Sequence, residues 1–103
     1  MLIPVTSVET VGAAIRAMRK VSGIRQDDVA GVSHMFLRDL EKGKETVQFG
    51  LVLKVLDELG IHMLLEVPES QEQAVAMAMN RLMGRMAPMA RIVHTRTIKK
   101  DGE

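Results

Sequence analysis

Glycine residues divide the first 60 residues of the chain into short segments, and this division limits what the chain can fold into. Gly23, Gly43 and Gly60 each follow a stretch in which apolar residues recur every three or four positions. Glycine is common just past a helix C-terminus, and that spacing is typical of amphipathic helices. Gly31 lies between two of these segments and predicts a tight turn. The sequence therefore predicts a mainly α-helical bundle.

Residues typical of helix N-termini predict where the first three helices begin. Thr6 and Glu9 form a T-x-x-E capping box, which predicts the start of the first helix. Residues 25–30 predict a very short second helix, and Ser33 is expected to cap a third helix that runs to about Lys42. In the third helix Val32, Leu37 and Leu40 are expected to point inward, and His34, Met35, Arg38 and Asp39 outward.

The segment after Gly43 predicts self-association. Apolar residues cover more than half the circumference of a fourth helix predicted over residues 48–59, whereas a helix facing only its own core shows a narrower stripe. Residues 61–67 predict one strand, which is not stable alone in water. It can pair with residues 2–5, or with the same strand of a second copy, which creates a dimer. The predicted dimer contacts are Leu51, Val55, His62, Met63, Leu64, Leu65 and Glu66.

Residues 1–67 are predicted to form one domain, and two further parts are predicted after it. In the first part, residues 68–90, Ser70 and Gln73 form a capping box that predicts a helix over about 71–86. The simplest interpretation of its methionines is that they pack this helix in the dimer. The alternative is that they bind a second protein partner. Residues 91–103 are basic and expected to be mobile, with a groove-inserting arm as the alternative. The methionines are Met77, Met79, Met83, Met86 and Met89.

The composition argues against several classes of protein. The absence of cysteine excludes a disulfide scaffold and a thiolate site, and is compatible with a reducing cytosol. No apolar run approaches the roughly 18 residues of a membrane span. The three histidines are far apart in sequence, and Asp27 and Asp28 point in different directions on a helix and cannot share a proton. We therefore expect a cytoplasmic protein without catalysis, cofactor or metal.

Residues 23–47 carry the functional signal. Two short helices joined by a glycine-containing turn fit a helix-turn-helix, whose second helix can present side chains to base edges in the major groove. The pattern Gln26, Gly31-Val32-Ser33 and Glu41-Lys42-Gly43 resembles the lambda-repressor-like (XRE) helix-turn-helix family. The stretch FLRDLEKGKETVQFGLVLKVLDELGI is similar to HipB-type antitoxins, partners of HipA-type kinase toxins. The resemblance covers residues 6–67.

The resemblance implies DNA contacts for six residues and departs from the family at one point. Ala30 runs directly into Gly31, so the second helix is shorter by almost a turn. Arg38 is chemically the best base reader, because guanidinium can bond guanine bidentately; it can instead pair with Asp39 or Glu41. By resemblance, Gln26 would contact phosphate, Ser33, His34 and Arg38 would face the groove, and Lys42 and Lys44 would contact flanking phosphates.

Each of these residues also has a purely structural interpretation. His34 can cap or hydrate the start of the helix, Ser33 can be an N-cap alone, and Lys42 and Lys44 can satisfy the helix C-terminus. The net charge of +1 does not favour nucleic-acid binding, so the case rests on local arrangement. The resemblance implies a dimeric repressor of a palindromic operator that also holds a HipA-like kinase toxin inactive. The alternatives are a stand-alone regulator and an interaction module without operator binding.

Overall fold

The fold is mainly helical, as predicted. The computed structural model describes residues 1–84, in which no strand occurs. Residues Met1–Met63 form one compact unit, and a second unit begins at Leu64. No helix in the described part of the chain has the length and apolarity needed to cross a bilayer. The α-helices are α1 (Val8–Val21), α2 (His34–Glu41), α3 (Phe49–Glu58) and α4 (Glu72–Met83), and 3₁₀ turns lie at Gln26–Asp28 and Glu69–Gln71.

The N-terminus of α1 lies one residue later than the capping box predicted. Ser7, not Thr6, is the N-cap, and its Oγ accepts a hydrogen bond from the Thr10 backbone N–H at 3.3 Å. Serine and threonine are both favoured N-cap residues, and here the side chain of Ser7 makes the capping bond. The predicted T-x-x-E capping box is therefore wrong.

A single apolar core holds the first unit together. Ile15 of α1, Leu37 and Leu40 of α2, and Val55 of α3 are fully buried. Leu37 and Leu40 are thus on the inward face, as predicted, and Val32 is partly buried beside them. Burying a side chain of this size contributes about 1.5–3 kcal/mol. The other buried core residues are Val11, Val29, Val52, Leu56 and Leu59.

Two glycines set the close packing of α1 on α2. A Cβ at Gly12 would overlap the carbonyl oxygen of Leu40, so only glycine allows the two backbones to approach so closely. Gly43 follows α2 with φ of +85°, in the left-handed region that glycine tolerates. A Cβ there would lie 3.1 Å from the Cα of Glu9. The first turn of α1 therefore packs against the end of α2.

The segment between α1 and α2 contains very little helix. Gln26–Asp28 form a single 3₁₀ turn, in which the Asp28 N–H donates to the Arg25 carbonyl oxygen at 3.0 Å. The sequence predicted a short helix here, and the structure reduces it to this turn. Val29, only 5% exposed, anchors the segment in the core.

The helix α3 agrees with the predicted boundaries and leaves apolar surface uncovered. Phe49 is 59% exposed and Leu53 is 45% exposed, although the opposite face of the helix is in the core. The next residues, 61–68, lie in neither helix nor strand. Ile61 and Met63, two positions apart, pack against the core. A strand formed by pairing with a second copy stays a prediction, since a lone segment has no partner to pair with.

The helix α4 has no buried residue. Its N-cap is Gln71 without a side-chain hydrogen bond, and Ser70 lies inside the preceding 3₁₀ turn, so the predicted S-x-x-Q capping box is wrong. Met77 and Leu82 are 59% and 81% exposed, and the packing partner of this helix stays a prediction. Met86, Met89 and the basic residues 91–103 lie outside the described residues, as does the predicted end of the helix at 86.

Candidate nucleic-acid interface

The start of α2 presents polar side chains outward on a capped helix end. Ser33 is the N-cap, as predicted, and its Oγ accepts a hydrogen bond from the Phe36 N–H at 3.1 Å. Because Leu37 and Leu40 take the buried face, His34, Met35 and Arg38 are exposed on the other. The side chain of Arg38 has no hydrogen bond or ion pair with any residue of the described part of the chain. The alternative that Arg38 pairs with Asp39 or Glu41 does not occur.

The end of α2 fixes two lysines on either side of Gly43. The N–H of Gly43 donates to the Leu40 carbonyl oxygen at 2.9 Å, and the N–H of Lys44 donates to that of Asp39 at 3.1 Å. These two bonds form a Schellman motif. The side chain of Lys44 is 57% exposed and lies 3.5 Å from the Asp39 carboxylate. Lys42, the C-cap of α2, is exposed beside it.

A buried ion pair joins α1 to α2. Arg19 Nε and Nη2 donate to the two carboxylate oxygens of Glu41 at 2.7 Å and 2.9 Å, a bidentate geometry. Arg19 Nη1 donates to the Ile24 carbonyl oxygen at 2.9 Å. The side chains of Arg19 and Glu41 are only 8% and 2% exposed. Arg16 approaches the same carboxylate at 3.7 Å from a more exposed position.

The environment of Glu41 keeps the carboxylate ionised. Burial alone would raise its pKa, but hydrogen bonds from Arg19 and Gln26 and the charges of Arg19 and Arg16 outweigh burial, so the pKa is lowered. The hydrogen bond to Glu41 is also the main reason that the pKa of Arg19 is raised, against the opposing effect of burial. Both groups therefore stay charged across the neutral range, and the pair holds α2 at a fixed angle to α1.

Gln26 is part of this cluster. Its Nε2 donates to Glu41 Oε1 at 3.0 Å, which ties the 3₁₀ turn to the end of α2. An amide nitrogen has two N–H groups, so the second is compatible with the phosphate contact that resemblance implies. Gln26, Asp27 and His34 line a shallow, open depression where the turn meets the start of α2. Asp27 is paired with Arg25 at 3.3 Å.

The predicted dimer residues fall into two groups. Val55 is fully buried in its own subunit and presents no surface to a second copy, so that prediction is wrong. Leu51 is half-buried, and Met63 packs on the core of its own chain. The others are exposed and stay predicted contacts: His62, Leu64, Leu65 and Glu66.

Sequence reasoning missed the structural role of Arg19 and Glu41. Arg19 took no part in the predictions made from the sequence. A signal existed, because Val8, Val11, Ile15 and Arg19 follow one helical stripe whose apolar members are at least partly buried. A cation that ends a buried stripe needs a buried anion. Which acid fills that role depends on packing between residues 22 positions apart.

The described surface of α2 is suited to nucleic acid. It is a capped helix with a guanidinium at its centre that has no partner among the described residues, an imidazole at its start and two lysines at its end. Side chains of this kind read base edges and neutralise phosphates.

Comparison with known proteins identifies a related transcriptional regulator. The chain is 51% identical over 53 residues to an uncharacterized HTH-type transcriptional regulator of Sinorhizobium fredii. The match covers 48% of this chain and 70% of that protein. No protein-family profile matches the chain.

Proposed function

The chain belongs to the HTH-type transcriptional regulators, and we propose that it is a sequence-specific repressor that binds a palindromic operator as a homodimer. The observation that carries this proposal is the outward face of α2, where Arg38 is exposed and unpaired among the described residues. A flexible cation without a structural role is available for a bidentate contact to guanine, which is worth about 1–3 kcal/mol of discrimination.

We propose a dimer because the side chains of one short helix contact too few base pairs to specify an operator. In two-fold regulators the recognition helices enter successive major grooves about 34–36 Å apart. We propose that residues 61–67 pair between the two copies, which would cover Leu64 and Leu65, now 60% and 90% exposed. Ile61 and Met63, two positions apart, both pack on the core. This alternation of side chains between two faces supports a strand.

The test compares two substitutions by fluorescence anisotropy on promoter DNA and on a scrambled duplex. Arg38→Ala should reduce the ratio of specific to non-specific affinity, since it removes a base contact. Lys44→Ala should weaken binding to both duplexes similarly and lower the salt slope by about one charge. Equal affinity of the unaltered protein for both duplexes would remove the repressor proposal. An unchanged ratio in Arg38→Ala would remove only the role of Arg38.

We further propose that the regulator acts as the antitoxin of a HipA-like kinase and represses its own operon. The support is the sequence similarity of residues 36–61 to HipB-type antitoxins. Co-purification from the native operon, followed by a kinase assay with and without this protein, tests it. A neighbouring kinase gene whose product is bound and silenced agrees with the proposal, whereas the absence of such a gene favours a stand-alone regulator.

A second candidate is an interaction module that kept the fold without operator binding. The reduction of the second helix to the turn Gln26–Asp28 favours it, because the two acids of this turn, Asp27 and Asp28, would repel an approaching phosphate. Residues 1–65 also carry eight basic and eight acidic side chains, so this part of the chain has no net attraction for DNA. The anisotropy experiment at two salt concentrations separates the candidates.

A further inference from the structure

A second guanidinium lies at the surface beside the buried Arg19–Glu41 pair. Arg16 Nη1 is 3.7 Å from Glu41 Oε1, which is too long for a hydrogen bond. That oxygen already accepts hydrogen bonds from Arg19 Nη2 at 2.9 Å and from Gln26 Nε2 at 3.0 Å. The side chain of Arg16 is 54% exposed and has no hydrogen bond with any residue in the described range 1–84. Its N–H groups are therefore available to a ligand from solvent.

The carboxylate of Glu41 brings Arg16 and Gln26 to one place. The two side chains come from different elements, α1 and the 3₁₀ turn Gln26–Asp28, and each has a nitrogen atom within 3.7 Å of the same oxygen. The Glu41 side chain is only 2% exposed, so the fold fixes the position of this oxygen. The Gln26 nitrogen that donates to it has a second N–H. Two donors so placed, each about 2.9 Å from its acceptor, can bind two oxygens of one anion.

The charges of this cluster favour an anion. Arg16 and Arg19 carry two positive charges against the single carboxylate of Glu41, so one positive charge remains, at the exposed guanidinium of Arg16. Asp27, an acid of the same 3₁₀ turn, is already paired with Arg25 at 3.3 Å. The planar guanidinium matches the geometry of phosphate oxygens, and a neighbouring amide adds a further donor.

We propose that Arg16 and Gln26 together bind one phosphate of the DNA backbone, and that Glu41 positions both side chains. The inference rests on the proposed DNA-binding function and adds a contact from α1, outside the helix-turn-helix segment. Gln26 also lines an open depression with His34, at the start of α2. A phosphate at Gln26 would thus place the DNA backbone beside the start of the helix that is proposed to read bases. Such a contact fixes the position of the protein on the duplex without reading sequence.

The test measures the affinity of the full chain for promoter DNA and for a scrambled duplex by fluorescence anisotropy at several salt concentrations. Arg16→Met should weaken binding to both duplexes severalfold and lower the salt slope by about one charge. Arg16→Lys should keep the slope, because it keeps the charge. The control Arg81→Met removes the same charge from an exposed position on α4 and should change neither affinity nor slope. Far-UV circular dichroism should show unchanged helix content, since both side chains are exposed.

A double variant tests whether Arg16 and Gln26 share one phosphate. Arg16→Met combined with Gln26→Ala should lose less affinity than the product of the two single losses, because either change alone already loosens the shared phosphate. Single phosphates of the promoter duplex are also replaced, one at a time, by uncharged methylphosphonate. At one linkage this replacement should weaken binding of the unaltered protein and leave binding of Arg16→Met unchanged.

The outcomes separate this inference from the proposed function. An unchanged salt slope in Arg16→Met, or equal effects of Arg16→Met and Arg81→Met, overturns the phosphate site and leaves the repressor proposal standing. Single losses that multiply in the double variant overturn the shared phosphate. An unaltered protein that binds both duplexes equally removes the repressor proposal, whereas a lower slope in Arg16→Met would still support the phosphate site. A protein that binds neither duplex overturns both.

Discussion

Removing the carboxylate of Glu41 should strongly destabilise the first unit. The Arg19 guanidinium, 8% exposed, would keep only the Ile24 carbonyl as an acceptor. Breaking a buried ion pair from one side costs about 3–5 kcal/mol, because the remaining charge is uncompensated. A folded unit of residues 1–63 has a free energy of unfolding of about 3–9 kcal/mol. Glu41→Ala therefore removes between about a third and all of the free energy of unfolding.

The assay is urea unfolding followed by circular dichroism at 222 nm, because the chain has no Trp or Tyr for fluorescence. With a slope near 1.5 kcal/mol per molar urea, the loss lowers the midpoint by about 2–3 M. The protein concentration must be held constant, because the proposed dimerisation would contribute to apparent stability. Arg19→Met combined with Glu41→Leu should recover much of the loss, since an apolar pair can replace a buried ion pair.

A carboxylate on the same helix provides the control. Asp39 lies 3.5 Å from Lys44 at the surface, with side chains 35% and 57% exposed. Exposed pairs of this kind are worth about 0–1 kcal/mol, so Asp39→Ala should move the midpoint only slightly. If Glu41→Ala and Asp39→Ala gave equal shifts, the reasoning about the buried pair would be refuted.

Three further predictions concern the same unit. Gly12→Ala should destabilise it by about 1–3 kcal/mol in the same urea assay, because the methyl overlaps the Leu40 carbonyl, and a neutral or stabilising effect would contradict the close packing. Ser33→Ala should cost about 1 kcal/mol through loss of the N-cap, Ser33→Gly only a few tenths, and equal losses would refute a capping role. The pKa of Glu41 is lowered in the folded protein, so its contribution is present above its ordinary value of 4.5 and is lost as the pH falls below it. An acid titration of stability should therefore be flatter in Glu41→Gln, and identical pH profiles would contradict the lowered pKa.

The parts of the fold that local rules determine could be predicted from the sequence. The ends of α1, α2 and α3 all follow from a glycine just beyond the helix, with the following N–H groups bonded back to the last turn. The Ser33 cap and the inward positions of Leu37 and Leu40 followed from spacing alone. These features depend on residues at most a few positions apart, so the sequence contains them directly.

The parts that depend on packing could not be predicted. From the sequence, Gly12 is only a small residue within a helix. The need for glycine there comes from the backbone of Leu40, which packs against it. Val55 was assigned to a second copy because an apolar helix gives no sign of which stripe its own core takes. The exposure of Phe49 could not be predicted either, because it depends on the opposite face of α3 packing into the core.

The cluster that joins α1 directly to α2 has a consequence for how this architecture tolerates changes in length. Arg19 with Glu41, and Gly12 with Leu40, hold α1 directly against α2. Length changes at the exposed Ala30 should then leave the orientation of α2 unchanged, whereas Val29 and Val32 pack against the core and must keep their places. In a helix-turn-helix with such direct contacts, the second helix can shrink to a single turn while α2 keeps its orientation.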